Sequence, residues 1–254
     1  MNLTIVLPLI TTLVSLVFTI MVLDQFIWRR KTYQMVWAIG LWFFALASFA
    51  QFLGTAYGWQ ENTNAYRLWY LCGAMATSSF LGMGTVFLMC SRKIALIILT
   101  GLIGAFVVAA VLVFTVPVDV SALPVHSTEE VTGKGFPGYV RVMTPFFNIF
   151  GVLFLGFGAL QSAITFWRKR IKFYRVVSNL FIAGGAFAAS SAGLIHRFNL
   201  SGSDAFSLAT LLGVTLIFIG FLISIEVFEE FRIPFTKIVL KERKKALGSP
   251  VTAK

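Results

Sequence analysis

The chain has 254 residues, 58% of them hydrophobic and only 12% charged, with 21 Lys and Arg against 10 Asp and Glu for a net charge of +11. A soluble domain is ~25% charged, so this composition excludes an ordinary water-soluble globular domain. It points to a chain that lies mostly in lipid.

Seven apolar runs follow one another, at 3–23, 33–53, 68–90, 94–116, 143–167, 176–195 and 206–228. A bilayer core ~30 Å thick needs ~20 helical residues to cross. None of the runs alternates polar and apolar as a membrane barrel strand does, and hydrocarbon leaves backbone polar groups no partner outside a helix. The expected fold is therefore all-α, a polytopic membrane bundle of seven transmembrane helices.

The first run has no positive segment before it; the charges come after, at Arg29, Arg30 and Lys31. That order retains the run as a span and leaves the short N-terminus outside. Counted by loop, Lys and Arg number 17 on one side (ten in the loops, seven in the tail) and four on the other, Arg67, Lys134, Arg141 and Arg197. The positive-inside rule then predicts the N-terminus out and the C-terminus in. The net charge is this asymmetry, not a nucleic-acid footprint.

At the outer edge of the second and third runs stand Tyr57, Trp59, Glu61, Tyr66, Arg67, Trp69 and Tyr70. Aromatic residues at this depth form an interfacial belt, or else a vestibule in which Arg67, Trp69 and Tyr70 recognise an anionic or aromatic ligand. The third run carries Thr77, Ser78 and Ser79 near mid-depth. Its Cys72 and Cys90 are ~27 Å apart at 1.5 Å per residue, too far for a disulfide. After the fourth run, residues 117–141 make a long external loop in which Gly135, Phe136, Pro137, Gly138 and Tyr139 either fold back as a lid or belong to a mobile connector.

Asn148 and Gln161 lie in the fifth run, Asn179, Ser190 and Ser191 in the sixth, and Thr210 and Thr215 in the seventh. Together with Thr77 and Ser78 they either line a pocket for a small uncharged or zwitterionic ligand or bond one helix to another. Gly185, Ala189 and Gly193 form a small-residue stripe suited to close packing, within the bundle or against a second copy. Asp24 and Glu226 sit close to the inner boundary, where each reaches headgroups or a basic loop, so no carboxylate marks a proton path at the midplane. The seventh run has no lysine, which excludes a retinal pigment. No Walker loop, HExxH or metal-spaced Cys pair occurs, so the expectation is a non-enzymatic protein without cofactors.

Trp28-Arg29-Arg30-Lys31 before Tyr33 is echoed by Trp167-Arg168-Lys169-Arg170 before Tyr174. A parallel three-helix duplication would give a three-one-three layout; recurrence of aromatic and basic residues at every inner boundary is the other explanation. Residues 1–228 form the membrane domain and 229–254 a basic tail. From Pro234 the tail reads as a short amphipathic helix, with Lys237, Lys241, Arg243, Lys244 and Lys245 meeting anionic lipids of the inner leaflet.

The segment from Tyr66 to Ala74, followed by Phe80-Leu81-Gly82-Met83-Gly84-Thr85 and Ser91-Arg92-Lys93, resembles a family of uncharacterised bacterial seven-span proteins. The layout is also similar to the seven-helix N-terminal sensor region of bacterial histidine kinases. The resemblance implies a bacterial plasma-membrane protein that acts as a receptor-like sensor or accessory subunit through a partner protein or a second copy. A small-molecule transporter or facilitator built on the three-helix repeat is the alternative. Candidate ligand-binding residues are Arg67, Trp69, Tyr70, Thr77, Ser78, Asn148, Ser190 and Ser191.

Overall fold

The computed structural model describes residues 3–125, 129, 131–170, 173–197, 203–226, 230–232, 234–235 and 239–242. These contain the long helices α1 (Leu3–Arg29), α2 (Thr32–Tyr57), α3 (Thr63–Met89), α4 (Arg92–Thr115), α5 (Gly138–Arg168), α6 (Phe173–Arg197) and α7 (Ser203–Glu226). Six of them, α1 to α5 and the Ala205–Ser224 stretch of α7, are long and apolar enough to cross a membrane. The protein is thus a membrane-embedded helical bundle. α6, 25 residues long, lies along α7.

Burial ranks the helices. α3 is the central one, 72% buried over its most apolar stretch, and it packs against α2 and α5. α4 is peripheral, only 11% buried, and its Gly101 and Gly104 face open space. α1 joins α2 to α7. Its buried face is polar in composition, but Thr11, Thr12, Ser15 and Thr19 each donate to the carbonyl four residues back at 2.7–2.8 Å. Hydroxyls satisfied by their own helix present mainly carbon to their neighbours.

Small residues set the closest crossings. A Cβ on Gly185 would lie 2.5 Å from the Gly213 carbonyl, and one on Gly213 2.7 Å from the Ala189 methyl. The Gly185–Ala189 stripe is therefore spent inside the bundle, between α6 and α7, where Ser178 also donates to the Gly220 carbonyl at 2.6 Å. The α3–α5 crossing is tighter still. Gly82 meets the Gly151 backbone, and Gly151 leaves no room for a Cβ beside Ser78.

Both partners of that crossing carry wide, π-helical turns: Trp69–Thr77 ends directly before Ser78, and Val152–Phe157 begins directly after Gly151. An inserted π turn rotates the residues beyond it around the helix axis and is common at functional sites. The two lie in the third and fifth helices, so they do not follow the spacing of the Trp28 and Trp167 echo.

Beyond α7 the described residues form two short antiparallel strands, β1 (Glu230–Arg232) and β2 (Val239–Glu242), with Pro234 and Phe235 in a turn between them. A helix starting at Pro234 was expected here, and the difference has a cause in α1. Asp24 is buried, and its carboxylate accepts the Phe235 amide at 2.7 Å. A buried charge needs such a donor, and Phe235 supplies it from a left-handed conformation (φ 61°) that interrupts a helix. Lys241 falls in β2, while Lys237, Arg243, Lys244 and Lys245 lie outside the described residues.

Candidate functional site

The site is built downward from the long loop. In the first turns of α3, Tyr66, Trp69 and Tyr70 are spaced three and four residues apart, which puts them on one helix face. The loop brings Phe136 onto that face, its ring centroid 5.1 Å from Tyr66 and 4.8 Å from Tyr70. Tyr66 Oη donates to the Thr132 carbonyl at 2.7 Å and accepts the Gly135 amide at 3.1 Å. Gly135 is required, since a Cβ there would stand 2.9 Å from Leu123 and 3.0 Å from the Tyr66 ring.

The Gly135 carbonyl in turn accepts the Asp119 amide at 2.9 Å. Hydrogen bonds from the Ser121 hydroxyl and amide hold the exposed Asp119 carboxyl below its ordinary pKa. The described part of the loop is thus a folded lid rather than a loose connector. It also changes the meaning of the aromatic cluster. Trp59, Tyr66, Trp69 and Tyr70 are buried beneath it, and Tyr57 alone of the five faces outward. They form a core, not an interfacial belt, because the lid supplies the apolar roof that lipid headgroups cannot.

Beneath the lid lies a cavity of about 1340 Å³, walled by α2, α3, α5, α6 and α7 and roofed by Val131–Lys134. Seven of the eight residues singled out from the sequence line it: Trp69, Tyr70, Thr77, Ser78, Asn148, Ser190 and Ser191. Arg67 stands apart, because its guanidinium donates to the Val113 carbonyl of α4. Sequence reasoning missed Ser48 and Gln51 on α2, Thr144 and Arg141 on α5, and Lys134 in the lid. Ser48 and Gln51 share a helix face at three-residue spacing, which was a usable signal; the rim cations gave none.

Most of the lining polar groups are already engaged. Thr77 donates to Cys72 O, Asn148 to Ala74 O, Ser190 to Ala186 O and Ser191 to Ala188 O. Tyr70 pairs with Thr144 at 2.8 Å, and Gln51 donates to Ser207 at 3.0 Å, tying α2 to α7. Ser48 and Ser78 keep hydroxyls with no such bond. Its described lining contains no carboxylate, imidazole or thiol, and no acid–base or nucleophile–base pair is assembled there.

The floor is apolar. Leu81, Leu155, Ala186 and Ile217 close the cavity and continue into a cluster with Phe18, Leu41, Val214 and Phe221. The side is open. The Val152–Arg168 half of α5 packs on α6, whereas Met143–Gly151 packs chiefly on α3. Ile149 and Leu153 line the cavity and yet are about half exposed, so the gap between α5 and α6 communicates with the bundle's exterior.

Fold and site together define a class: a membrane-embedded helical bundle with a lidded, laterally open cavity in its loop-side half. No family model matches the sequence, and no curated protein or solved structure matches it either.

Proposed function

We propose that the protein is a non-enzymatic receptor-like sensor or accessory subunit of a bacterial plasma membrane, crossing it seven times with the N-terminus out and the C-terminus in. It binds a ligand in the loop-side cavity and acts through a partner protein or a second copy at its basic inner surface. The observation that carries this reading is the cavity itself. It reaches mid-bundle and stops on the floor of Leu81, Leu155 and Ile217, as a binding site does and an open conduit does not. Asp24 supports the link to the inside, since it ties α1, a neighbour of the floor, to the tail. The basic tail residues are the part that meets anionic lipid, and no nucleic acid is involved.

The second reading, a transporter or facilitator, draws on one specific feature. The cavity is bordered by helices of both proposed triplets, α2 and α3 from the first and α5, α6 and α7 from the second. In that reading the structure is the state closed at the tail side.

One experiment separates them. A single cysteine at Ser190, with Cys72 and Cys90 replaced by Ser, is labelled in oriented proteoliposomes by an impermeant maleimide from either side. Reaction from the loop side alone supports binding. Reaction from both sides supports transport, and reaction from neither removes the cavity as a ligand site.

A further inference from the structure

We infer that the ligand is an anionic long-chain amphiphile, held with its acidic head at Arg141 and Lys134 and its alkyl chain between α5 and α6, pointing toward Leu155 and Ile217. The inference rests on the cavity being a ligand site and specifies what that site takes.

The rim supplies the charge. Lys134 and Arg141 line the cavity mouth, both exposed, and among the described residues neither has a carboxylate partner. Only four basic residues fall on the loop side of the chain, and two of them are here. Cations clustered at a mouth raise the local concentration of anions.

The interior argues against a small polar ligand. A sugar or an amino acid needs many donors and acceptors, since burying its polar groups unbonded is costly. Here the hydroxyls of Thr77, Ser190 and Ser191 and one N–H of Asn148 are spent on backbone carbonyls, leaving Ser48 and Ser78 as the hydroxyls without a bond. What remains is wall formed by side chains such as Phe44, Leu155 and Phe187. That surface favours alkyl groups.

Size and access agree. The 1340 Å³ volume exceeds the ~300–1,000 Å³ usual for a small-molecule site. From Arg141 to Leu155 the cavity follows α5 for ~21 Å at 1.5 Å per residue. The opening beside Ile149 and Leu153 lies on an apolar flank of α5, where Phe146 and Phe157 are also exposed. A chain can enter there from the loop-side leaflet while its charged head stays at the rim, so no charge crosses hydrocarbon.

The test is native mass spectrometry of the full-length protein in neutral detergent, titrated with hexadecyl phosphate, hexadecanol, hexadecylphosphocholine or inorganic phosphate, and separately with phosphatidylglycerol. Retention of hexadecyl phosphate over the alcohol and the zwitterion is expected. The double substitution Lys134→Gln, Arg141→Gln should weaken it by about tenfold or more, each surface charge being worth several-fold. Ser190→Phe, with helicity and melting checked against the wild type, should abolish retention of every chain.

Preferential retention of phosphatidylglycerol, lost in both variants, also supports the inference and makes the membrane its source. Equal retention of hexadecanol, unaffected by the rim substitutions, overturns the anionic head while leaving a ligand cavity. Binding of inorganic phosphate as tight as that of hexadecyl phosphate overturns the chain. No retention of any probe, or retention untouched by Ser190→Phe, overturns the inference; Ser190 maleimide labelling then shows separately whether the cavity reading survives.

Discussion

Two residues show how little chain is needed to hold the lid and the helix crossing. Tyr66 is fully buried and joins the loop to α3 through one donated and one accepted hydrogen bond, to Thr132 and from Gly135. Each such bond is worth ~0.5–1.5 kcal/mol net, and leaving the Gly135 amide buried without a partner costs more than the bond was worth. Tyr66→Phe should keep the ring stack on Phe136 yet release the loop, read as hydrogen exchange at Gly135 faster by about tenfold; unchanged exchange would show that packing alone holds the lid. Gly151 works by absence. Its Cβ would fall inside the van der Waals surface of the Ser78 backbone and hydroxyl, and overpacking of this kind costs ~1–3 kcal/mol. Gly151→Ala should lower the melting temperature in detergent and displace the two π turns, whereas Gly184→Ala, whose Cβ meets open space, should be neutral.

Among the elements, α4 and α5 show that equal hydropathy does not mean equal role. α4 is the most apolar of the six candidate spans, with mean hydropathy 2.9, and the least buried. It spends its side chains on lipid and touches the bundle through a few positions, Ala95, Ala109 and Val113 among them. Gly104→Leu, facing open space, should leave stability within ~0.5 kcal/mol, while Ala109→Leu, at a fully buried site, should cost ~1–3 kcal/mol. Thermal melts of the two variants check the pair, and a reversed order would place α4 the other way round. α5 is divided by its wide turn at Val152–Phe157: the half beyond it belongs to the α6 contact and the half before it to α3. That division leaves the side of the cavity open.

For the molecule as a whole, orientation is the property that every functional reading needs. The 17-to-4 division of Lys and Arg predicts that a cysteine at Ser127 reacts with an impermeant reagent on intact cells and one at Ser249 only after permeabilisation. The opposite pattern would place the cavity mouth in the cytoplasm and turn the proposed sensor inward.

The membrane class and the long helices were legible in the sequence, because partition into hydrocarbon depends on composition over ~20 residues and needs no tertiary information; the ends were less so, since α1 runs six residues past its apolar run and α3 and α5 each begin five residues before theirs. Five polar cavity residues, Thr77, Ser78, Asn148, Ser190 and Ser191, were legible too, since a polar residue is conspicuous in any apolar run, and Trp69 and Tyr70 stood out as aromatics beside Arg67. Their chemistry was not: whether Thr77 or Ser190 offers its proton to a ligand or to its own helix is a matter of rotamer and backbone, settled by the carbonyls of Cys72 and Ala186. Tertiary structure also decided the lid, the place of Arg67 and the tail. Phe136 reaches Tyr66 from 70 residues away, Arg67 finds Val113 rather than a vestibule, and the Phe235 amide lies 211 residues from Asp24. Contacts over such separations leave no periodicity along the chain, since a local pattern records which face of a helix is apolar and not which neighbour that face will meet.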